Sequence, residues 1–138
     1  MNSQIEKLET KRKQLFDEVK NLGDLRRGTI TVTYKKCGKK NCICASPEHK
    51  GHGPYYQWST TLGNGKSYAK NLKLGPEVEK VQREIANYKK YLELCKAIIE
   101  VNEEICDLRP VEVIDNETEL EKLKKKLQRI YKVKLRKK

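Results

Sequence analysis

Apolar side chains recur at the spacing of a helix seam in three stretches of the chain, and between the first two they switch to a looser, strand-like pattern. From Ser3, which suits an N-cap, Ile5, Leu8, Leu15, Val19 and Leu22 fall on heptad a and d positions with Arg12 the exception, and Gly23 stops the run. This predicts an amphipathic helix of about five turns. A second ladder, Val81, Ile85, Tyr88, Leu92, Cys95, Ile99, Asn102 and Cys106, is opened by Gly75 and Pro76 and closed by Arg109 and Pro110. It predicts the longest element, with Cys95 and Cys106 as ordinary seam residues. A third ladder, Leu120, Leu123, Leu127 and Ile130, follows an acidic linker whose Asp115, Asn116 and Thr118 are cap candidates.

Each seam is a narrow stripe that has to bury against another helix or a second copy of the chain. An antiparallel pairing of the first two helices is the natural arrangement, with the polar seam residues Arg12 and Asn102 placed to set register. Between them, residues 29–34, 55–62 and 67–74 carry β-branched and aromatic side chains, and Gly63, Asn64 and Gly65 form a hairpin turn. The expected fold class is α+β: a small three-stranded antiparallel sheet inserted between long coiled-coil-like helices, with too few aliphatic residues of its own and therefore in need of a staple for its loop. Five segments follow: an N-terminal helix (1–23), a β head (24–75), a long helix (76–109), an acidic linker (110–119) and a basic helix or tail (120–138).

Composition narrows the class. Of 138 residues, 36% are hydrophobic and 36% charged, and mean hydropathy is −0.87, which favours a surface-rich molecule. No apolar run approaches the roughly 18 residues of a membrane span, and the first residues form no apolar leader, so a cytoplasmic protein is expected. The net charge of +12 points to a polyanionic partner. Its distribution sharpens that: residues 26–73 hold ten bases and one acid, Glu48, residues 74–121 hold six bases and thirteen acids, and residues 122–138 hold ten bases and no acid.

Within the basic head, Cys37, Cys42 and Cys44 lie within eight residues, and His49 and His52 follow. A reducing compartment disfavours disulfides, and three thiolates with one imidazole satisfy a tetrahedral zinc ion. Gly38 suits a turn of positive φ behind the first cysteine. His52, between Gly51 and Gly53, is the expected fourth ligand, with His49 the fallback. A reduced metal-free cluster and a redox-active thiol pair remain the alternatives, because the spacing is not that of the common zinc fingers. All ligands sit on one local loop, which is the pattern of a structural site.

Around this loop, bases are interleaved with aromatics, as a nucleic-acid surface requires: aromatic rings stack on bases and cations neutralise phosphates. The candidate contacts are Arg26, Arg27, Lys35, Lys36, Lys39, Lys40, Tyr55, Lys66, Lys70 and Lys73. Tyr56 and Trp58, two apart on a strand, are expected to pack against the helices, and Tyr55 to be exposed.

These residues carry a resemblance. Arg26-Arg27-Gly28-Thr29-Ile30, Tyr34-Lys35-Lys36-Cys37-Gly38, Cys42, Cys44 and His52-Gly53-Pro54-Tyr55-Tyr56, followed by Gly65-Lys66 and Asn87-Tyr88, resemble a group of short uncharacterised prokaryotic and phage proteins. The resemblance covers residues 25–106, implies an association with mobile elements, and favours His52 as the ligand. The order of three strands and then a helix is similar to that of the arm-type DNA-binding domains of tyrosine recombinases, a likeness of fold alone.

No catalytic constellation accompanies the pattern. The head lacks paired carboxylates, and neither a phosphate-binding glycine loop nor a serine nucleophile motif is present. The expected function is a non-enzymatic nucleic-acid-binding protein, DNA ahead of RNA, with a structural zinc ion, as an accessory of a prokaryotic or mobile-element nucleoprotein complex. The alternative is a coiled-coil interaction or inhibitor protein whose helices bind an acidic protein partner or a second copy.

Overall fold

A computed structural model describes residues 2–131 and divides the chain into two compact units, Met1–Asp107 and Leu108–Lys138. In the first unit a helix α1 (Asn2–Asn21) leads to strands β1 (Thr29–Lys35), β2 (His52–Thr61) and β3 (Ser67–Leu72), and then to helix α2 (Pro76–Leu108). The second unit holds helix α3 (Glu117–Ile130). Residues 132–138 of the expected basic tail lie outside the described residues. No helix among the described residues is long and apolar enough to cross a membrane.

The strands form an antiparallel sheet in the order β1-β2-β3. Ile30 pairs with Trp58 and Trp58 with Lys70; Val32 pairs with Tyr56 and Tyr56 with Leu72. Cross-strand partners share a face, and this face meets the first turns of α2. There Leu72, Val81 and Ile85 are buried, with Ile30, Tyr56, Trp58 and Val78 packed against them. Leu72, Val81 and Ile85 each contribute about 1.5–3 kcal/mol by leaving water, and the partly buried side chains less. The expectation that Tyr56 and Trp58 serve the core is met. The third strand ends at Leu72 rather than Leu74, which is 71% exposed: Gly75 and Pro76 start the helix at once and leave Leu74 in the connection.

Helices α1 and α2 run antiparallel. Arg12 donates to the side-chain oxygen of Asn102 at 2.9 Å, and further along, Asn87 donates to the Asp24 carbonyl at 2.8 Å. The two polar seam residues named from the sequence are thus partners. The α1 seam is as expected, half-buried at Ile5, Leu8, Arg12, Leu15, Val19 and Leu22.

The α2 seam departs from the expected one. Beyond Tyr88 the buried residues are Leu94, Ile98, Val101 and Ile105, whereas Leu92 and Ile99 are 48% and 57% exposed. Cys106 is exposed and Cys95 only half-buried, so neither is the core residue that the ladder predicted. Apolar residues stand at both 98 and 99, so a strict heptad count can follow either. The 94-98-101-105 set continues the face of Asn87 and Tyr91, about a third of a turn around the helix from Val81 and Ile85, so the first turns of α2 bury one face against the sheet and the later turns another beside α1.

Helix α3 begins at Asn116, whose side-chain oxygen accepts from the backbone N–H of Thr118 at 2.8 Å and of Glu119 at 3.4 Å. Asn116 is therefore the cap among the three candidates. Leu120, Leu123, Leu127 and Ile130 lie on one stripe of it, and all are exposed.

Candidate metal centre

The segment between β1 and β2 is a loop of polar and basic residues with one short 3-10 turn (Ile43–Ala45). Gly38 takes φ of +80°, so the chain turns immediately after Cys37. The Cys37 N–H then points at the Cys44 sulfur, 3.4 Å away. On the return, Gly51 is buried with φ of +107°, and a Cβ there would stand 2.7 Å from the Lys35 carbonyl carbon. Only glycine lets the two backbones approach this closely, and that approach delivers His52 to the cysteines.

A local irregularity assists. Thr33 pairs with Tyr55 but Lys35 pairs with His52, so β2 carries one extra residue at Gly53-Pro54, whose peptide bond is cis. Pro54 has no N–H to give the ladder, and the bulge offsets His52 from the alternation of the rest of the strand.

Four donors converge. The sulfurs of Cys37, Cys42 and Cys44 and a ring nitrogen of His52 all lie within 4.8 Å of one another, a set able to hold a metal ion. The Cys37 and Cys44 sulfurs are 3.4 Å apart, and the Cys42 sulfur is 3.1 Å from His52 Nε2. Cys44 is fully buried, Cys42 and His52 are half-buried and Cys37 is exposed. His49, the fallback ligand, accepts the Gly51 N–H through Nδ1 at 2.9 Å. Its role is to brace the loop.

The thiols differ electrostatically. A backbone hydrogen bond from Lys39, then His52 and the neighbouring thiols, lowers Cys37 to about 6. At Cys44 the hydrogen bond from Cys37 acts downward, but burial and the adjacent thiols outweigh it and push the group up. Cys37 therefore forms its thiolate more readily than Cys44 at neutral pH.

The basic residues named from the sequence separate into two groups. Lys35, Lys39, Lys40, Lys66, Lys73 and Arg27 are exposed. Lys36 is exposed and donates to the Ser46 carbonyl at 3.1 Å, and Lys70 stands 3.6 Å from Glu77. Arg26 is employed internally: Nε lies 3.2 Å from Glu84 Oε1, and the guanidinium covers the Trp58 ring at 4.9 Å. Tyr55 is 46% exposed, as expected, whereas Trp58 donates to the Arg27 carbonyl at 2.9 Å.

Glu84 is the residue that the sequence conceals. It reads as a surface acid, yet it is buried, hydrogen-bonded by Lys80 and flanked by Arg26. The Lys80 hydrogen bond first, and then the charges of Arg26, Lys80 and Arg83, hold its carboxyl below the usual range against the cost of burial. The one available signal was Lys80, a base four residues away on a helix.

Among known proteins, the chain matches a domain of unknown function, DUF6788, over residues 5–83, more than half its length. That span takes in α1, the sheet, the cysteine loop and the first turns of α2. No curated protein and no solved structure matches it. The chain is therefore a member of the DUF6788 family.

Proposed function

We propose that this protein is a non-enzymatic nucleic-acid-binding protein whose basic head is held in shape by a structural zinc ion. The carrying observation is the placement of Lys36, Lys39 and Lys40 on the loop that the Cys37, Cys42, Cys44 and His52 cluster closes, with Lys35 at the strand end leading into it, all four exposed. Zinc suits the donors. Bond lengths of about 2.3 Å to sulfur and 2.0 Å to nitrogen in a tetrahedron put ligand atoms about 3.5–3.8 Å apart, and small side-chain adjustments reach this from the spacings above. Three thiolates and one imidazole leave a dication one negative charge in excess, which the lysines offset. With four protein ligands no coordination position remains for substrate, as in structural sites.

DNA is favoured over RNA, and an accessory place in a prokaryotic or mobile-element nucleoprotein complex fits a small basic protein of this kind. The test combines elemental analysis of the purified protein with a salt titration of binding to mixed-sequence duplex DNA. One zinc per chain and an affinity that falls steeply with salt support the reading. Absence of binding, or a flat salt dependence, overturns its nucleic-acid half.

A second reading rests on α3, whose apolar stripe is exposed from Leu120 to Ile130. A protein retained on the immobilised chain after nuclease treatment would favour an interaction protein; loss of all bound material favours the first reading.

A further inference from the structure

The strand register divides the sheet into two unlike faces. Ile30, Val32, Tyr56, Trp58 and Leu72 belong to the face against α2. The alternate positions make up the other face, with two full ranks, Thr29-Ser59-Ala69 and Thr31-Gln57-Asn71. It extends from Thr33 and Tyr55 at one end to Thr61 and Ser67 at the other. Every residue on it is exposed or half-exposed.

Lys35, the last β1 position on this side, is its one charge, and none of the other ten strand positions is charged. In a chain 36% charged, ten positions exposed only to solvent would carry about three or four charges. Hydroxyls and amides of good strand propensity satisfy solvent too, but that preference alone does not exclude lysine, which the same strand β3 carries at position 70 on its other face. Exclusion of charge is what a face requires if it is to be desolvated on docking, because an unpaired charge left in a closed interface is costly. Cations stand instead around it: Arg27 before β1, Lys35 at its end, Lys66 at the hairpin tip and Lys73 after β3, all exposed. An uncharged, hydrogen-bonding centre inside a wholly cationic rim matches a partner whose centre is uncharged and whose edges are anionic. Base edges between two phosphate backbones have that form.

We propose that this face reads base edges in the major groove of duplex DNA, with Gln57 and Asn71 as the specificity-determining residues and Thr31 beside them. The inference rests on the nucleic-acid reading above and adds sequence recognition to it. Gln and Asn amides pair with N6 and N7 of adenine, and the threonine methyl suits the methyl group of thymine, so the preferred site contains A·T pairs. Strand axes about 4.8 Å apart set the outer strands about 9.6 Å from each other, comparable with the roughly 12 Å major groove. The deep, narrow major groove of an RNA duplex does not admit a sheet.

The test is selection of duplexes from a randomised DNA pool by the intact zinc-loaded protein, followed by anisotropy titration of the selected duplex and a scrambled one of equal composition. The selected duplex is expected to bind at least about ten-fold tighter. Gln57→Ala or Asn71→Ala should reduce that ratio about five-fold or more and change affinity for the scrambled duplex by less than about two-fold. Lys39→Ala with Lys40→Ala should weaken both duplexes alike. Replacing the preferred adenine by 7-deazaadenine should reproduce the loss in the wild type and add nothing in the variant. Salt-dependent binding without any enriched sequence overturns this inference and leaves the nucleic-acid reading standing. An enriched sequence indifferent to Gln57 and Asn71, or a preference for RNA, also overturns it, and no binding to either nucleic acid removes both. Unchanged melting temperatures of the two variants ensure that a lost preference is a lost contact.

Discussion

His52 and His49 lie three residues apart and were equally eligible by chemistry, yet the backbone gives them different work. His52→Ala is expected to abolish stoichiometric zinc in elemental analysis and His49→Ala to retain most of it, because His49 serves the Gly51 N–H rather than the sulfurs. Retention in both variants would refute the four-ligand assignment. At Glu84, the lowered carboxyl contributes stability that is complete above the ordinary carboxylate pKa and lost as pH falls through its depressed value. The melting-temperature advantage of wild type over Glu84→Gln should therefore shrink between pH 7 and pH 3, and a constant difference would deny the group that role. Neither residue's part was legible from type alone. The gathering of the loop's cysteines was, because thiols so closely spaced along the chain lie close together in space.

At the scale of elements, α1 and α2 meet along apolar stripes that any sliding by a turn would satisfy almost as well. The Arg12–Asn102 hydrogen bond removes that freedom. A double-mutant cycle with Arg12→Leu and Asn102→Leu should give a coupling of about 1–2 kcal/mol, since one partner is charged and the pair is only partly buried. Additive single effects would show that the pair is incidental. The corrected α2 seam makes a chemical prediction as well. Cys106 should react with a thiol reagent in the folded, zinc-loaded protein faster than Cys95, and both well ahead of Cys44, as mass spectrometry of a time course would report.

For the whole molecule, the charge map separates binding from stability once Arg26 is assigned to the interior. Arg26→Ala should lower the melting temperature with little change in the salt dependence of DNA binding, because its partners are Glu84 and Trp58. Replacing Arg27, Lys39 and Lys40 together should leave the melting temperature in place and reduce the slope of log affinity against log salt by up to about three. The same slope change on removing residues 132–138 instead would move the phosphate contacts to the tail.

The elements and the cysteine cluster were readable because they depend on local facts. Periodicity, capping residues, Gly-Pro punctuation and cysteine spacing act within a few residues of one another, and they specified three helices, three strands and the grouping of Cys37, Cys42 and Cys44 with a nearby histidine, which the fold resolves to His52. What the tertiary structure decided involves choices between local near-equals. Residues 98 and 99 are both isoleucine, and packing alone determines that Ile98 is buried and Ile99 exposed. Strand alternation divides the head's side chains into two faces without saying which of them α2 covers. That choice places Tyr56 and Trp58 in the core and leaves Thr31, Gln57 and Asn71 on the other face, because the apolar face gains more by leaving water.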